Sequence, residues 1–216
     1  MTIILHGYWR SSAAYRTRIG LNLKGLSYRQ ESHDLRTGEQ GAPAFRAIAP
    51  QGLVPALEID GIIVTQSLAI LEWLEEVHPE PPLLPREAAA RALVRSQAAI
   101  IACDVHPLNN LRVLKALKND LGAGDVAVSR WIARWIHDGL GPLEIMAQRH
   151  GEGFCFGDSP TIADCCLVPQ LYNARRFEVD LAHYPTLLAI DQRCRQLDAF
   201  ARADPGVQPD ADGPQR

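Results

Sequence analysis

No apolar run in this sequence approaches the roughly 20 residues that a membrane-crossing helix requires, and the stretch after Met1 lacks the pattern of a signal peptide. The expectation is a soluble, cytoplasmic chain. An excess of positive charge is also missing: the formal net charge is -3, and the 22 Lys and Arg residues are dispersed instead of clustered. That balance excludes a nucleic-acid footprint and narrows the expected partners to small molecules or a second copy of the chain. The five cysteines are odd in number, form no C-x-x-C, and include the neighbours Cys165 and Cys166. Neither a disulfide framework nor a zinc site is indicated, so reduced thiols packed in helices are expected. His6, His33, His78, His137, His150 and His183 show no ligand spacing, and no metal is expected. Internal repeats and low-complexity tracts are absent. What is present is 47% hydrophobic residues over 216 positions, enough to bury one large or two small cores, of which two is the preferred reading.

The first part of the chain alternates. Strand-like Thr2 to His6 leads into a helix from about Ser12 to Lys24 and a strand over Ser27 to Ser32. A short helix over Pro43 to Ile48, strands Ala56 to Ile59 and Ile62 to Val64, and a helix Ser67 to Val77 follow. Asp60-Gly61 suits a type I′ hairpin turn, and Leu68, Ile70, Leu71, Leu74 and Val77 give the last helix one apolar face. This βαβ unit with a hairpin and a closing helix suggests an α/β thioredoxin-like domain over residues 1–79. The proline-rich residues 80–85 read as a linker, and residues 86–216 as an all-α helical domain. Its helices are expected over about Glu87 to Lys118, Asp125 to Arg149, Thr161 to Arg176 and Thr186 to Phe200. Thr161 and Asp164 have capping-box spacing, a folding signal for a buried helix. The polar tail from about Pro205 to Arg216 is expected to be loosely ordered.

Three short segments carry the chemistry. Ser11 and Ser12 follow a strand and open a helix, where unpaired backbone N–H groups favour an anion such as a thiolate. Pro55 heads a strand, which leaves the backbone of Val54 free for an extended ligand, and its peptide bond has the option of being cis. Gln66 and Ser67 open a further amphipathic helix, a second terminus suited to negative charge. Taken alone, the serine pair also suits ordinary helix capping.

Five stretches, in order, resemble the zeta class of the glutathione transferases, in the family of bacterial maleylacetoacetate isomerases. They are Tyr8-Trp9-Arg10-Ser11-Ser12, Gln51-Gly52-Leu53-Val54-Pro55-Ala56-Leu57, Thr65-Gln66-Ser67-Leu68-Ala69-Ile70, His106-Pro107-Leu108-Asn109-Asn110-Leu111 and Asn173-Ala174-Arg175-Arg176-Phe177-Glu178-Val179-Asp180-Leu181. The similarity runs from about Ile3 to about Pro209. It implies a homodimer with glutathione as cofactor that isomerises maleylacetoacetate to fumarylacetoacetate in tyrosine and phenylalanine catabolism. A thiolate adds to the cis enone, the resulting single bond rotates, and elimination returns both trans product and glutathione.

The resemblance sets Ser11 against the sulfur, with Ser12 as the second choice. Lowering a thiol pKa from about 8.5 by about 1.5–2 units needs roughly 2–3 kcal/mol, within reach of one hydroxyl hydrogen bond and a helix N-terminus. The family motif reads Ser-Ser-Cys, whereas here the third residue is Ala13, so no protein cysteine acts at that position. Two substrate carboxylates call for guanidinium forks, and the resemblance supports Arg10 and Arg176, with Arg175 and Arg112 as weaker candidates. It further implies that Gln66 and Ser67 hold the γ-glutamyl end of glutathione, Val54 its cysteinyl backbone and Gln40 its glycine end. His106 and Asn110 join them from the helical domain; four residues apart, they are expected to share a helix face kinked at Pro107. Trp131 and Trp135 suit core or interface packing. Arg16 and Arg18 suit either a dimer cleft or ordinary ion pairs. Rival readings are a maleylpyruvate isomerase of gentisate breakdown, a general glutathione transferase or dehalogenase, and a non-catalytic module on the same fold. Leu111, where an added arginine would suit maleylpyruvate, weighs against the first, and the retained serine pair against the last.

Overall fold

A computed structural model describes residues 2–212. It divides into two compact units: the described residues up to Leu83 together with those from Gln196 onward, and Leu84–Arg195.

The first unit is built on a four-stranded sheet of order β2-β1-β3-β4, with β1 Ile3–Gly7, β2 Arg29–Ser32, β3 Ala56–Ile59 and β4 Ile62–Thr65. β1 pairs parallel to β2 and antiparallel to β3. A parallel neighbour requires a crossover, supplied by helix α1 (Ser12–Leu23), whereas β3 and β4 join directly through Asp60-Gly61. Both turn residues have positive φ, 46° and 86°, as a type I′ turn demands. The thioredoxin-like order is therefore present, completed by α2 (Pro43–Ile48) and α3 (Ser67–Val77). Helices α1 and α3 pack closely because Gly20 has no side chain: a Cβ there would stand 2.3 Å from Leu71 Cδ2. Buried Lys24, the residue that ends α1, donates to Glu75 of α3 at 2.7 Å and to the Pro81 carbonyl at 2.7 Å, and Glu75 accepts from the Leu83 N–H. The proline-rich segment is thereby tied to the first unit as far as Leu83.

The carboxy-terminal segment differs from expectation. The helix expected over Thr186 to Phe200 is two helices, α8 (Pro185–Arg195) and α9 (Asp198–Ala201), and α9 belongs with the sheet-bearing unit. The reason is polar: Arg18 and Asn22 of α1 donate to the carbonyls of Ala203 and Ala199. Nor is the stretch after Pro205 loose, since Asp210 and Asp212 accept hydrogen bonds from Trp9 and Arg36. Residues 213–216, also part of the expected loose tail, lie outside the described residues.

The second unit is helical. The long helix expected over Glu87 to Lys118 is interrupted: α4 (Ala88–Ala99) widens into a π-turn at Ile100–Val105, tightens at Pro107–Asn109, and restarts as α5 (Leu111–Asn119). Pro107 has no N–H to continue the ladder. The long α6 (Asp125–His150) lies against the π-turn, where a Cβ on Gly139 would meet Val105 Cγ2 at 2.1 Å. Central α7 (Ile162–Arg176) is buried along most of its length. Thr161 and Asp164 form the expected capping box, and Asp164 also accepts the Cys155 N–H at 2.8 Å. Glu144 of α6 accepts the N–H groups of Thr186 and Leu187, completing the N-terminus of α8. No helix among the described residues is long and apolar enough to cross a membrane.

Candidate active site

Strand register gathers the first unit's candidate residues at one end of the sheet. His6 pairs with Ala56, Ala56 with Thr65, and Gly7 with Ser32. The chain therefore leaves β1 towards Ser11, leaves β2 towards Gln40, enters β3 from Val54, and leaves β4 into Gln66 and Ser67, all at the same end. Adjacent strands are about 4.8 Å apart, so an extended tripeptide can reach all four segments.

The β1–α1 connection is a tight turn in which the Ser11 N–H donates to the Tyr8 carbonyl at 3.0 Å. Ser11 caps α1: its Oγ accepts the Ala14 N–H at 3.2 Å, and Ser12 is the first helical residue. Capping and thiol activation do not compete, because a serine hydroxyl accepts through lone pairs and still has its own proton to donate. The first turn of α1 carries no acidic side chain to neutralise its positive end. Arg10 lies half-buried with its guanidinium 5.1 Å from the centre of the Trp9 ring. Nearby Arg36 is chelated by Asp34 and Asp212, whereas no carboxylate hydrogen-bonds to Arg10 among the described residues.

Val54 precedes the first paired residue of β3, and the Val54–Pro55 peptide is cis. Gln66 holds φ 69° and ψ 113°, a conformation costing a non-glycine residue about 1–3 kcal/mol and retained mainly at functional sites. Its side chain donates to Gln51 Oε1 at 2.7 Å, and it offers α3 no side-chain cap. The N-terminus beginning at buried Ser67 is thus left for another acceptor. Gln40, in a short turn over Glu39–Gly41, has a buried Oε1 without a hydrogen-bond partner among the described residues.

In the second unit one expectation is corrected. His106 and Asn110 do not share an α-helical face: His106 closes the π-turn, with its N–H on the Ile101 carbonyl, and Asn110 has left the helix. In extended conformation Asn110 caps α5, its Oδ1 accepting the Arg112 N–H at 3.1 Å. Arg176, exposed at the end of α7, donates to Asn173 Oδ1 at 2.9 Å and lies 4.4 Å from the centre of the Phe177 ring. Arg175 donates to the buried carboxylate of Asp191 at 2.6 Å, which gives it a structural role. Arg112 is exposed on α5. Trp131 and Trp135 pack edge to face, and Trp131 donates to the Leu108 carbonyl. Arg18 makes no ion pair among the described residues: it is buried, donates to the Trp9 and Ala203 carbonyls, and its pKa is pulled down to about 10 by burial. Arg16 is buried too. The strained Gln66 backbone and the contacts of Arg18 and Asp210 had no signal in the sequence, since each depends on tertiary packing.

A thioredoxin-like unit with a serine cap at the start of α1 and an uncapped N-terminus at α3, followed in sequence by a helical unit, defines the glutathione S-transferase class, and the family model "Glutathione S-transferase, N-terminal domain" matches residues 10–77. A maleylacetoacetate isomerase of Rhizobium meliloti is 49% identical over 94% of this chain and 95% of its own length. Among solved structures, a bacterial maleylpyruvate isomerase described as a zeta-class glutathione S-transferase aligns with TM-score 0.95 and 46% identity over 97% of this chain and all of that one. The maleylacetoacetate isomerase of Methylobacterium extorquens, solved with malonate and glutathione bound, aligns with TM-score 0.93 and 43% identity, again over 97% of this chain and all of that one. The chain belongs to the zeta-class glutathione S-transferases, in the family of maleylacetoacetate and maleylpyruvate isomerases.

Proposed function

We propose that this chain is a glutathione-dependent cis–trans isomerase that converts maleylacetoacetate to fumarylacetoacetate in tyrosine and phenylalanine catabolism. The observation that carries the reading is the Arg10-Ser11 turn, where the Ser11 hydroxyl caps α1 as an acceptor and keeps its proton to donate, and half-buried Arg10 precedes it in the same turn. The residues present suit glutathione. Among the described residues the backbone of Val54 is left for the cysteinyl residue, the uncapped start of α3 at Gln66 and Ser67 suits the γ-glutamyl carboxylate, and the unpartnered Gln40 Oε1 suits an N–H near the glycine end. His106 and Asn110 are assigned to the same tripeptide. When bound, glutathione supplies the nucleophilic sulfur through which the double bond loses and regains its order.

The protein's own part is electrostatic. The Ser11 hydroxyl donates to the negative sulfur, with Ser12 and the first-turn amides of α1 adding to the field. Arg10 and Arg176 hold the substrate's two carboxylates, and the charge of Arg10 also favours the thiolate. Ala13 offers no competing nucleophile. Leu111, at the start of α5, brings no cation there and favours maleylacetoacetate over maleylpyruvate. The enzyme acts in the cytoplasm as a homodimer, a state to which the exposed apolar Ile62, Ile63 and Val77 would contribute.

The test is an absorbance assay with glutathione on maleylacetoacetate and maleylpyruvate side by side, for the wild type and for Arg10→Ala and Arg176→Ala. A charge-assisted contact is worth about 1.5–3 kcal/mol, so each variant should lose about 10- to 100-fold in kcat/KM. Undiminished turnover in both would remove the carboxylate clamp.

A further inference from the structure

The backbone of Trp9, immediately before Arg10 and Ser11, is held through both its N–H and its carbonyl by contacts that lead to the carboxy-terminal segment. Its N–H donates to Asp210 Oδ2 at 2.9 Å. Its carbonyl accepts from Arg18 Nη2 at 2.9 Å, and the same guanidinium donates through Nε to the Ala203 carbonyl at 3.0 Å. Asp210 is itself fixed by Gln30 Nε2 at 2.7 Å and by the Ser32 hydroxyl, both on β2. Gln208 anchors the approach to it by donating to the carbonyls of Arg202 and Asp204. A chain that merely trails off does not place its carboxylate on three donors from two separate elements.

The turn carries this restraint onward. Ser11 N–H closes on Tyr8 O, so fixing Trp9, the second residue of the turn, fixes the path to its fourth, Ser11. The Trp9 ring lies beneath the Arg10 guanidinium, so the placement of Trp9 sets that of Arg10 as well. The negative Asp210 also favours the buried charge on Arg18.

We propose that Asp210 is a positioning residue of the active site: through the Trp9 backbone, the carboxy-terminal segment holds Arg10 and Ser11 in their working geometry. The inference rests on the functional reading above for the roles of Arg10 and Ser11. Its structural half, restraint of the turn by Asp210, stands apart from that reading and is measurable without glutathione.

The experiment compares the wild type, Asp210→Ala, Asp210→Asn and a chain ending at Pro209. Amide hydrogen exchange is read at Trp9 and Ser11 in the ligand-free proteins, together with melting temperature, kcat, KM and the pH at which bound glutathione ionises. Misplacement by about 1 Å costs on the order of 100-fold in rate, so a loosened turn should cost Asp210→Ala and the truncated chain about 10-fold or more in kcat. Both KM values should stay within about threefold, and exchange at Trp9 should accelerate about 10-fold or more. Asp210→Asn keeps a carbonyl acceptor and should recover much of the protection at Trp9 and much of kcat. A purely structural role would lower the melting temperature and leave the wild-type ionisation pH in the folded fraction. The proposal is overturned if Asp210→Ala keeps wild-type kcat, or if kcat falls while Trp9 protection is unchanged. Should Asp210→Ala melt early, the Asn variant decides: protection at Trp9 and kcat recovered together support the proposal, and protection recovered while kcat stays low overturns it. A wild type without glutathione-dependent turnover overturns the functional reading instead, and exchange at Trp9 still judges the restraint.

Discussion

Replacing Ser11 by alanine removes two contributions that separate experiments can resolve. The first is the cap on α1, the 3.2 Å bond from the Ala14 N–H to Ser11 Oγ, worth about 1 kcal/mol. For a chain of 216 residues this corresponds to a fall in melting temperature of about 2–4 °C. The second is the hydroxyl proton offered to the sulfur. A hydrogen bond to a charged group contributes about 1.5–3 kcal/mol, which at about 1.4 kcal/mol per unit raises the pKa of the bound thiol by about 1–2 units. Because reaction requires the thiolate, turnover near neutral pH should fall by about 10- to 100-fold and recover as pH is raised. Ser11→Gly separates the two effects, since glycine in place of an N-cap serine costs only a few tenths of a kcal/mol and has no side-chain donor. Its melting temperature should stay close to that of the wild type while the ionisation pH stays raised. Thiolate absorbance of bound glutathione across a pH series is the assay. If both variants ionise glutathione at the wild-type pH, Ser11 is a cap and nothing more, and activation belongs to Ser12 or to the α1 amides.

Other consequences concern stability and titration. Asp164 is buried and accepts from the N–H groups of Cys155 and Thr161 and from the Thr161 hydroxyl, so Asp164→Ala should cost about 3–5 kcal/mol in urea unfolding, whereas exposed Asp125→Ala should leave the midpoint nearly unchanged. His33 contacts His6 at 3.0 Å, and burial first, then His6, lower its pKa, against the opposing pull of Glu31 and Glu39; Glu58 flanks His6 on its other side. A base depressed on folding binds more protons in the unfolded chain, so its contribution is complete above the unfolded value of about 6.5 and is lost as pH falls through the folded one. Unfolding midpoints should therefore start to drop as pH falls towards about 6.5 and keep dropping below it, and His33→Gln should flatten that slope. Of the five cysteines Cys103 alone is exposed, while burial pushes the thiols of Cys155 and Cys194 up. A thiol reagent should titrate one group in the native protein and five after denaturation.

Local chemistry made much of the fold legible. Pro43 at the start of α2, Asp60-Gly61 between β3 and β4, and Thr161 with Asp164 at the start of α7 each specify a backbone conformation within four residues, and each appears where the pattern put it. Features that depend on distant partners were not legible. Residues 100–105 are apolar enough to continue α4, and only their packing beside Gly139 and the arrival of Pro107 accompany the widened turn. Asn110 reads equally well as a helix-face residue or a cap, and its extended backbone decides for the cap. In the candidate site, Ser11, Val54, Gln66 and Ser67 were identified by type and position, but their convergence follows from strand register. Asp210 is one acid in a polar tail until Trp9, Gln30 and Ser32 are folded around it.

If the chain raises the thiolate fraction of a thiol that it borrows and returns, glutathione must reappear after every turnover. Incubating the purified protein with maleylacetoacetate and a substoichiometric amount of glutathione, and following both the trans product and free thiol, tests this most directly. Many turnovers per glutathione, with the thiol fully recovered and no reaction in its absence, are predicted. Isomerisation that proceeds without glutathione, or that consumes it mole for mole, would contradict the account.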